Sequence, residues 1–197
     1  MKIIFATNNN HKLKEISNLL GNSLSILSLK DIDFNDEIPE DYPTLEENAM
    51  FKARYISKVT GLDVFADDTG LEITALNGRP GVHSARFAGA HKDFEANIDK
   101  VLLLMTGVQE RSARFRTIIA LIIGGSEYLF EGQVTGRITE KRRGNEGFGY
   151  DPVFIPDGET RTFAEMTLSE KNLLSHRAKA FEKLKIFLSG YNRPDNK

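Results

Sequence analysis

The stretch that decides the fold is LDVFADDTG, residues 62–70, an apolar run that ends in two adjacent carboxylates. Its first half is typical of a buried strand. Aspartate is a poor strand former, so Asp67 and Asp68 indicate either turn geometry or chemistry that needs negative charge. Side chains alternate along an extended segment, so only one of the two carboxylates is expected to face a given cleft, with the other in a supporting role. Thr69-Gly70 is expected to reverse the chain.

The segments before this stretch alternate in type. Residues 3–6 predict a strand, and Thr7-Asn8-Asn9-Asn10 is a polar turn before a helix that stops at Gly21. Residues 24–29 predict a second strand.

An acidic loop follows, and then a helix is predicted from Thr44 to about Thr60. Thr44-x-x-Glu47 is a capping-box pattern, and Gly61 is a stop signal. Strands that alternate with helices favour an α/β fold with parallel strand neighbours.

The remaining two thirds of the chain predict antiparallel pairing, which makes the sheet mixed. The predicted elements are a strand over residues 71–76, a helix over 93–105, a hairpin of strands 113–123 and 128–130, a strand over 134–139, and a helix from Thr167 whose apolar face carries Leu173, Leu174, Phe181, Leu184 and Leu188.

Length and composition limit the class of protein. The 197 residues fit one domain over 1–197, with residues 191–197 expected to fray. A net charge of -2 gives no general attraction to nucleic acid or to an anionic membrane, so a small anionic ligand is expected. The chain has no cysteine, which excludes disulfides and Cys-ligated zinc and fits a cytoplasmic protein. No segment predicts export or membrane insertion.

The turn after the first predicted strand is a candidate anion site. It contains Thr7, Asn8, Asn9, Asn10, His11 and Lys12. Backbone N–H groups and the helix dipole favour an anion there, and Lys12 adds a full charge. An asparagine-rich loop that only caps the helix is the alternative.

The acidic loop, residues 31–41, is a candidate metal site. Mg²⁺ is usually held by one or two carboxylates, with waters and substrate phosphates as the other ligands. Glu40 together with Asp68 would meet that requirement, although the spacing does not separate Glu40 from Glu37 or Asp41. A solvated acidic surface is the alternative.

The C-terminal half carries groups suited to a nucleobase. Phe148 lies between two glycines, where its ring could stack on a base while Asp151 accepts hydrogen bonds, or could instead pack into the core. Lys171, His176 and Arg177 are hydrogen-bond donors, and Ser175 could cap a second helical segment that begins at His176. Together with the carboxylates and lysines, these residues describe a site for a nucleoside triphosphate with Mg²⁺.

Taken as a set, these segments resemble the Ham1-like, inosine triphosphate pyrophosphatase family over nearly the whole chain. The motifs are Ala6-Thr7-Asn8-Asn9, Glu47-Asn48-Ala49-x-x-Lys52-Ala53, Ala66-Asp67-Asp68-Thr69-Gly70-Leu71, Pro80-Gly81-Val82-x-Ser84-Ala85-Arg86, Gly147-Phe148-Gly149-Tyr150-Asp151-Pro152, Ala164-Glu165 and Glu170-Lys171-x-x-x-Ser175-His176-Arg177.

The resemblance implies an α/β fold with an elongated mixed sheet flanked by helices, two lobes with a central cleft, and a homodimer. It also implies a reaction. The family hydrolyses ITP, dITP and XTP to the monophosphate and pyrophosphate with Mg²⁺, which removes deaminated purines from the nucleotide pool. A pyrophosphatase for canonical pyrimidine nucleotides and a non-catalytic nucleotide sensor are the alternatives.

Site residues follow from the resemblance motif by motif. Asp68 is the candidate general base and, with Glu40, the metal ligand. The residues implied to bind substrate are Thr7, Asn8, Asn9, Asn10, His11, Lys12, Lys52, Thr69, Arg86, Phe148, Gly149, Tyr150, Asp151, Lys171, His176 and Arg177. The chain departs from the common pattern at Asn8, Thr69 and Glu146, which replace a glycine, a serine and a glycine.

Overall fold

A computed structural model describes residues 2–20, 25–36 and 38–191. The strands are β1 (Lys2–Phe5), β2 (Ser25–Ser28), β3 (Val64–Ile73), β4 (Pro80–Gly81), β5 (Ser112–Ile123), β6 (Ser126–Ile138) and β7 (Phe154–Pro156). The helices are α1 (Asn10–Leu20), α2 (Leu45–Thr60), α3 (Phe94–Leu104), α4 (Leu168–Leu174) and α5 (His176–Gly190). In the described part of the chain, no helix is long and apolar enough to cross a bilayer.

The strands form a mixed sheet in the order β2-β1-β3-β5-β6-β7, with β4 paired to β3. β1 pairs in parallel with β2 and with β3, whereas β4 and β7 pair antiparallel to β3 and β6. The predicted α/β fold with a mixed sheet is therefore confirmed.

Helix α2 has the ends that its sequence predicts. The Thr44 side chain accepts a hydrogen bond from the Glu47 amide, and Gly61 follows the last turn in the left-handed conformation, with a φ of 69°. Only glycine adopts that conformation without a steric cost from Cβ. The buried side of α2 carries Ala49, Ala53 and Ile56 together with Lys52.

The expectation that Thr69-Gly70 reverses the chain is wrong. β3 runs without a break from Val64 to Ile73, so the predicted strand over residues 71–76 is its second half, followed by a short 3-10 helix. Gly70 meets a different requirement, because a Cβ there would lie 2.7 Å from the Gly81 carbonyl oxygen on β4. Glycine allows the backbones of β3 and β4 to approach.

Two other boundaries differ from the prediction. The predicted strands over residues 128–130 and 134–139 are parts of one strand, β6, which a tight Gly124-Gly125 turn joins to β5. The predicted helix from Thr167 divides at Ser175, which confirms the second helical segment expected from His176. Leu173 is 83% exposed rather than part of an apolar face. Gly21, Leu24 and residues 192–197 of the predicted tail lie outside the described residues.

The chain divides into two compact units. The first consists of the chain up to Asp68, Thr117–Gly132 and the chain from Ala178 onward; the second consists of Thr69–Arg116 and Gln133–Arg177. In the first unit, Phe5 on β1 stacks on Phe65 of β3 at 4.5 Å, within a core that Phe181 and Leu184 of α5 complete.

The second unit has a core of its own. Leu71 and Ile73 of β3 pack there with Ile98 and Val101 of α3 and with a group of aromatic rings. These rings belong to Phe115, Tyr150, Phe154 and Phe163. The described core thus places Tyr150 at the base of the glycine-rich loop, residues 147–151.

Candidate active site

Each carboxylate of the aspartate pair contacts a lysine in the first unit. Asp67 Oδ1 accepts a hydrogen bond from Lys12 Nζ at 2.9 Å, and Asp68 Oδ1 accepts one from Lys52 Nζ at 3.1 Å. Alternation along β3 directs the two carboxylates to lysines on different helices, α1 and α2. Lys12, the partner of Asp67, is itself a candidate phosphate ligand.

Lys52 joins a second carboxylate to Asp68. Its Nζ donates to Glu40 Oε1 at 2.9 Å as well as to Asp68, and its side chain is only 7% exposed. Burial alone would lower the pKa of the Lys52 ammonium, but the charges of Asp68 and Glu40 outweigh it and raise that pKa above its usual range. Lys52 is therefore charged at neutral pH.

Asp68 has the electrostatic setting of a group that can accept a proton. Burial raises the pKa of its carboxyl above the ordinary value, while Lys52 and Lys12 act in the opposite direction and Glu40 adds to the increase. A carboxylate with a raised pKa in a buried cluster of charges is a candidate general base.

The structure distinguishes Glu40 from the other described carboxylates of the acidic loop. Asp31 accepts hydrogen bonds from the Ser28 amide and hydroxyl, and Asp41 is exposed. Glu40 instead reaches the same lysine nitrogen as Asp68. Glu37, the other alternative from the sequence, lies outside the described residues.

The donor set of Glu40 and Asp68 fits a hard divalent cation. Both carboxylates already share one cation, the Lys52 ammonium. Within residues 2–20, 25–36 and 38–191, no group of three or more His, Cys, Asp or Glu side chains is placed to hold a metal. Two protein carboxylates with the remaining ligands left to water and phosphate are the arrangement that suits Mg²⁺.

The turn before α1 is organised by Asn9. The Asn9 side-chain oxygen accepts hydrogen bonds from the His11 and Lys12 amides at 2.9 and 3.3 Å, and the Thr7 hydroxyl accepts one from the Asn9 amide. Asn9 therefore caps the start of α1, as the alternative to an anion site expects. Asn8, Asn10 and His11 are exposed, and Lys12 follows them in the chain.

The second unit holds a buried ion pair in the glycine-rich loop. Lys171 Nζ donates to Asp151 Oδ2 at 2.6 Å, and both side chains are 3% exposed. The same Asp151 oxygen accepts a hydrogen bond from the Phe148 amide at 2.9 Å. A Cβ at Gly147, whose φ is +77°, would collide with that carboxylate, so Gly147 leaves the space that Asp151 occupies.

The Phe148 ring lies among cations rather than deep in the core. It is partly buried, with Lys171 Nζ 5.0 Å and Arg177 Cζ 5.5 Å from its centroid and Phe94 at 6.0 Å. Cations over the face of an aromatic ring are attracted by its quadrupole. The ring therefore links the loop to both donor residues.

The other predicted donors, His176 and Arg177, lie just after the break between α4 and α5. Ser175 is extended, and α5 begins at His176. Arg177 is 2% exposed and donates from Nη2 to the Thr69 hydroxyl at 3.3 Å. The His176 ring stacks on Phe115 at 4.7 Å, with an interplanar angle of 14°. Both side chains are thus held by packing.

Ser84 is a positioning residue that sequence reasoning did not single out. Its hydroxyl accepts from the Leu71 amide at 2.8 Å and donates to the Gly81 carbonyl at 2.6 Å. Its own carbonyl accepts from the Tyr150 hydroxyl at 2.9 Å. Ser84 therefore connects β3, the short helix Ser84–Arg86 and the glycine-rich loop, and its place in a motif with Arg86 was the only signal in the sequence.

The predicted site residues form two sets in the described chain. The first unit contains Thr7, Asn8, Asn9, Asn10, His11, Lys12, Glu40, Lys52 and Asp68; the second contains Thr69, Arg86, Phe148, Gly149, Tyr150, Asp151, Lys171, His176 and Arg177. The first set has carboxylates and lysines suited to a metal and phosphates, and the second has an aromatic face and donors suited to a base. The sets are contiguous in sequence at Asp68-Thr69, consecutive residues of β3.

Comparisons with known proteins agree with this chemistry. The profile of the Ham1 family matches residues 3–187. The chain is 49% identical to the dITP/XTP pyrophosphatase of Christiangramia forsetii, over 96% of this chain and 100% of that protein. It is 50% identical to the dITP/XTP pyrophosphatase of Porphyromonas gingivalis, over 95% of this chain and 97% of that protein. The solved HAM1 protein from Coxiella burnetii superposes with a TM-score of 0.88 at 38% identity, covering 97% of this chain and 100% of that one.

Proposed function

This chain belongs to the Ham1 family, and we propose that it hydrolyses the non-canonical purine nucleotides ITP, dITP and XTP to the monophosphate and pyrophosphate. It is a hydrolase of nucleoside triphosphates, like the curated dITP/XTP pyrophosphatases to which it is nearly half identical. The observation that carries the proposal is the buried cluster in which Lys52 contacts both Glu40 and Asp68. Such an enzyme removes deaminated purines from the nucleotide pool.

The enzyme is metal-dependent, and we assign Mg²⁺ as the metal, with Glu40 and Asp68 as its protein ligands. When bound, Mg²⁺ neutralises phosphate charge and polarises the phosphoanhydride. The support for this assignment is the pair of carboxylate oxygens that already enclose one cation.

The chain's own residues supply the rest of the phosphate chemistry. A triphosphate repels an attacking oxygen, so Lys12 and Lys52 would offset its charge while Asp68 orients a water and accepts its proton. Asp67 would hold the Lys12 ammonium in place through their 2.9 Å contact. The turn Thr7 to Asn9 and the first residues of α1, Asn10 and His11, would add hydrogen bonds to phosphate. Thr69 and Arg86 would complete the contacts to the substrate.

The base would be held by the second set of residues. Phe148 would stack on it, and Gly149 and Tyr150 would shape the loop beside it. Burial raises the pKa of the Tyr150 hydroxyl, so that group stays protonated and keeps its hydrogen bond to the Ser84 carbonyl. Asp151 would fix the Lys171 ammonium, and Lys171, His176 and Arg177 would donate to the 6-keto group of hypoxanthine or xanthine.

Those donors account for selection against adenine. Adenine carries an amino group at the position of the keto oxygen, so ATP would leave buried donors without an acceptor. A site built around such a hydrogen bond rejects the wrong partner by roughly 10⁴-fold or more. Guanine keeps the 6-keto group, so GTP must be excluded at its 2-amino group.

We further propose that residues 1–197 form one nucleoside-triphosphate pyrophosphatase domain, which works as a homodimer in the cytoplasm. Mass measurement by light scattering after size-exclusion chromatography checks the dimer. A mass of one chain at micromolar concentration contradicts that part of the proposal.

A substrate panel tests the proposed reaction. Pyrophosphate release is measured with ITP, XTP, dITP, GTP, ATP, dTTP and UTP, with Mg²⁺ and again after treatment with EDTA. We expect release from the first three nucleotides, at least about 10³-fold slower release from ATP, and no release without the metal. Preference for dTTP or UTP would favour the pyrimidine alternative, and tight binding without turnover would favour a sensor.

A further inference from the structure

Lys52 stands between the two carboxylates that are assigned to the metal. Its single ammonium nitrogen lies 2.9 Å from Glu40 and 3.1 Å from Asp68, and its side chain is 7% exposed. A lysine in such a cluster can bind phosphate. Here the Lys52 ammonium contacts two carboxylates, and these are the groups that would bind the cation.

We propose that Lys52 is an internal counter-ion that holds Glu40 and Asp68 together in the metal-free protein and leaves them when a divalent cation binds. This inference rests on the proposed function, because it takes Glu40 and Asp68 as the metal ligands. It adds a positioning role for Lys52 that precedes substrate binding.

A divalent cation and the Lys52 ammonium would compete for the same carboxylates. A cation held by Glu40 and Asp68 would bind the two carboxylates that the ammonium now contacts. The divalent cation and the ammonium would repel each other strongly if both stayed at these buried carboxylates. Lysine has a flexible four-carbon stem, so its ammonium can move while its backbone stays in α2. The ammonium that leaves the carboxylates is then available to an incoming phosphate.

The other lysine of the cluster has a different hydrogen-bond partner. Lys12 Nζ donates to Asp67 Oδ1 at 2.9 Å, and the Lys12 side chain is 13% exposed. Lys52 is the lysine whose ammonium contacts both proposed metal ligands.

Binding of Mn²⁺ to the nucleotide-free protein tests the proposal. Isothermal titration calorimetry compares the Mn²⁺ affinity of the wild type with that of Lys52→Met. If thermal unfolding shows that Lys52→Met is not folded, Lys52→Gln is used instead. Because the competing ammonium is gone, we expect Lys52→Met to bind Mn²⁺ roughly tenfold or more tighter than the wild type. Lys58→Met is the matched control, because Lys58 is an exposed lysine of the same helix; its affinity should stay within about twofold of the wild type.

The double variant Lys52→Met/Glu40→Gln locates the effect. We expect it to lose the gain in affinity, and a gain that persists would place the cation elsewhere and overturn the proposal. Affinity in Lys52→Met that equals or falls below that of the wild type would also overturn it. Pyrophosphate release from dITP by the wild type is measured in parallel, so failure of the counter-ion role and failure of the proposed function give different results.

Discussion

At the residue scale, each unit contains a buried lysine in contact with opposite charge. Lys52 contacts Glu40 and Asp68, and Lys171 contacts Asp151. Both lysine side chains are almost completely buried. Burying such pairs has a desolvation penalty that often cancels their mutual attraction. They therefore contribute little net stability, and a functional role explains their presence better.

The variant Asp68→Asn tests whether Asp68 is the general base. The amide cannot accept a proton from water, so kcat for dITP is expected to fall by roughly 10²–10⁴-fold. Thermal unfolding should show a folded protein, because the amide oxygen can still accept a hydrogen bond from Lys52. The control is Asp36→Asn at an exposed position of the acidic loop, and its kcat should match that of the wild type. Near wild-type turnover by Asp68→Asn would exclude Asp68 as the base.

The loop that carries Phe148 offers a comparison between two glycines. Gly147 and Gly149 both have a positive φ, at 77° and 61°, so alanine is strained at either position. Only at Gly147 would the new Cβ collide with the Asp151 carboxylate; around Gly149 there is open space. Gly147→Ala should therefore raise the KM for dITP more than Gly149→Ala does. Equal KM values in steady-state assays would show that the Asp151–Lys171 pair does not position the base.

At the element scale, local signals predicted the ends of α2 but not the length of β3. Thr44 and Gly61 act on their own helix, so a short window of sequence contains the cause. The aspartate pair remains in an extended strand because Lys12 and Lys52 neutralise it, and these partners lie 55 and 16 positions away. Gly81, which requires the glycine at position 70, also belongs to another strand. Such tertiary contacts overrule local propensity and have no local signal.

The approach of β4 to β3 predicts a stability difference. Gly70→Ala would place a Cβ 2.7 Å from the Gly81 oxygen, whereas Gly89→Ala adds a Cβ into open space. We expect Gly70→Ala to lower the free energy of unfolding by about 1–3 kcal/mol, as overpacking does. Urea denaturation monitored by circular dichroism measures it, with Gly89→Ala as the control. Equal unfolding midpoints for the two variants would contradict the close approach.

The capping box of α4 predicts a dependence of stability on pH. Hydrogen bonds from the Thr167 backbone and hydroxyl, and then from Arg161, lower the pKa of Glu170 to about 2. A lowered pKa in the folded state stabilises the protein above the ordinary value of 4.5, and this contribution disappears as pH falls toward 2. Glu170→Gln should therefore unfold at lower urea than the wild type at pH 6, with the difference shrinking below pH 4.5.

The control for this prediction is Glu182→Gln. Glu182 is exposed on α5 and has a surface ion pair with Lys185 at 3.6 Å. Its midpoint difference from the wild type should be small and nearly constant over the same pH range. If the midpoint difference between Glu170→Gln and the wild type were also constant with pH, the capping box would not be the cause of a pH-dependent stability.

At the scale of the whole molecule, the sequence named residues that the structure places in each unit, but not the contacts between them. Motifs named acidic, basic and aromatic residues in both sets because metal, phosphate and base would need those residue types. Pairing could not be predicted: Asp151 with Lys171 and Ser84 with Tyr150 are separated by 20 and 66 positions. Those partners depend on how each unit packs.

The reaction proposed for this chain is cleavage of the bond between the α- and β-phosphates of dITP. The most direct measurement is ³¹P NMR of dITP incubated with the wild-type protein and Mg²⁺ in ¹⁸O-labelled water. We predict dIMP and pyrophosphate in equal amounts, with no dIDP and no early inorganic phosphate. The appearance of dIDP with inorganic phosphate, or dITP that remains intact in the presence of folded protein, would contradict this reaction.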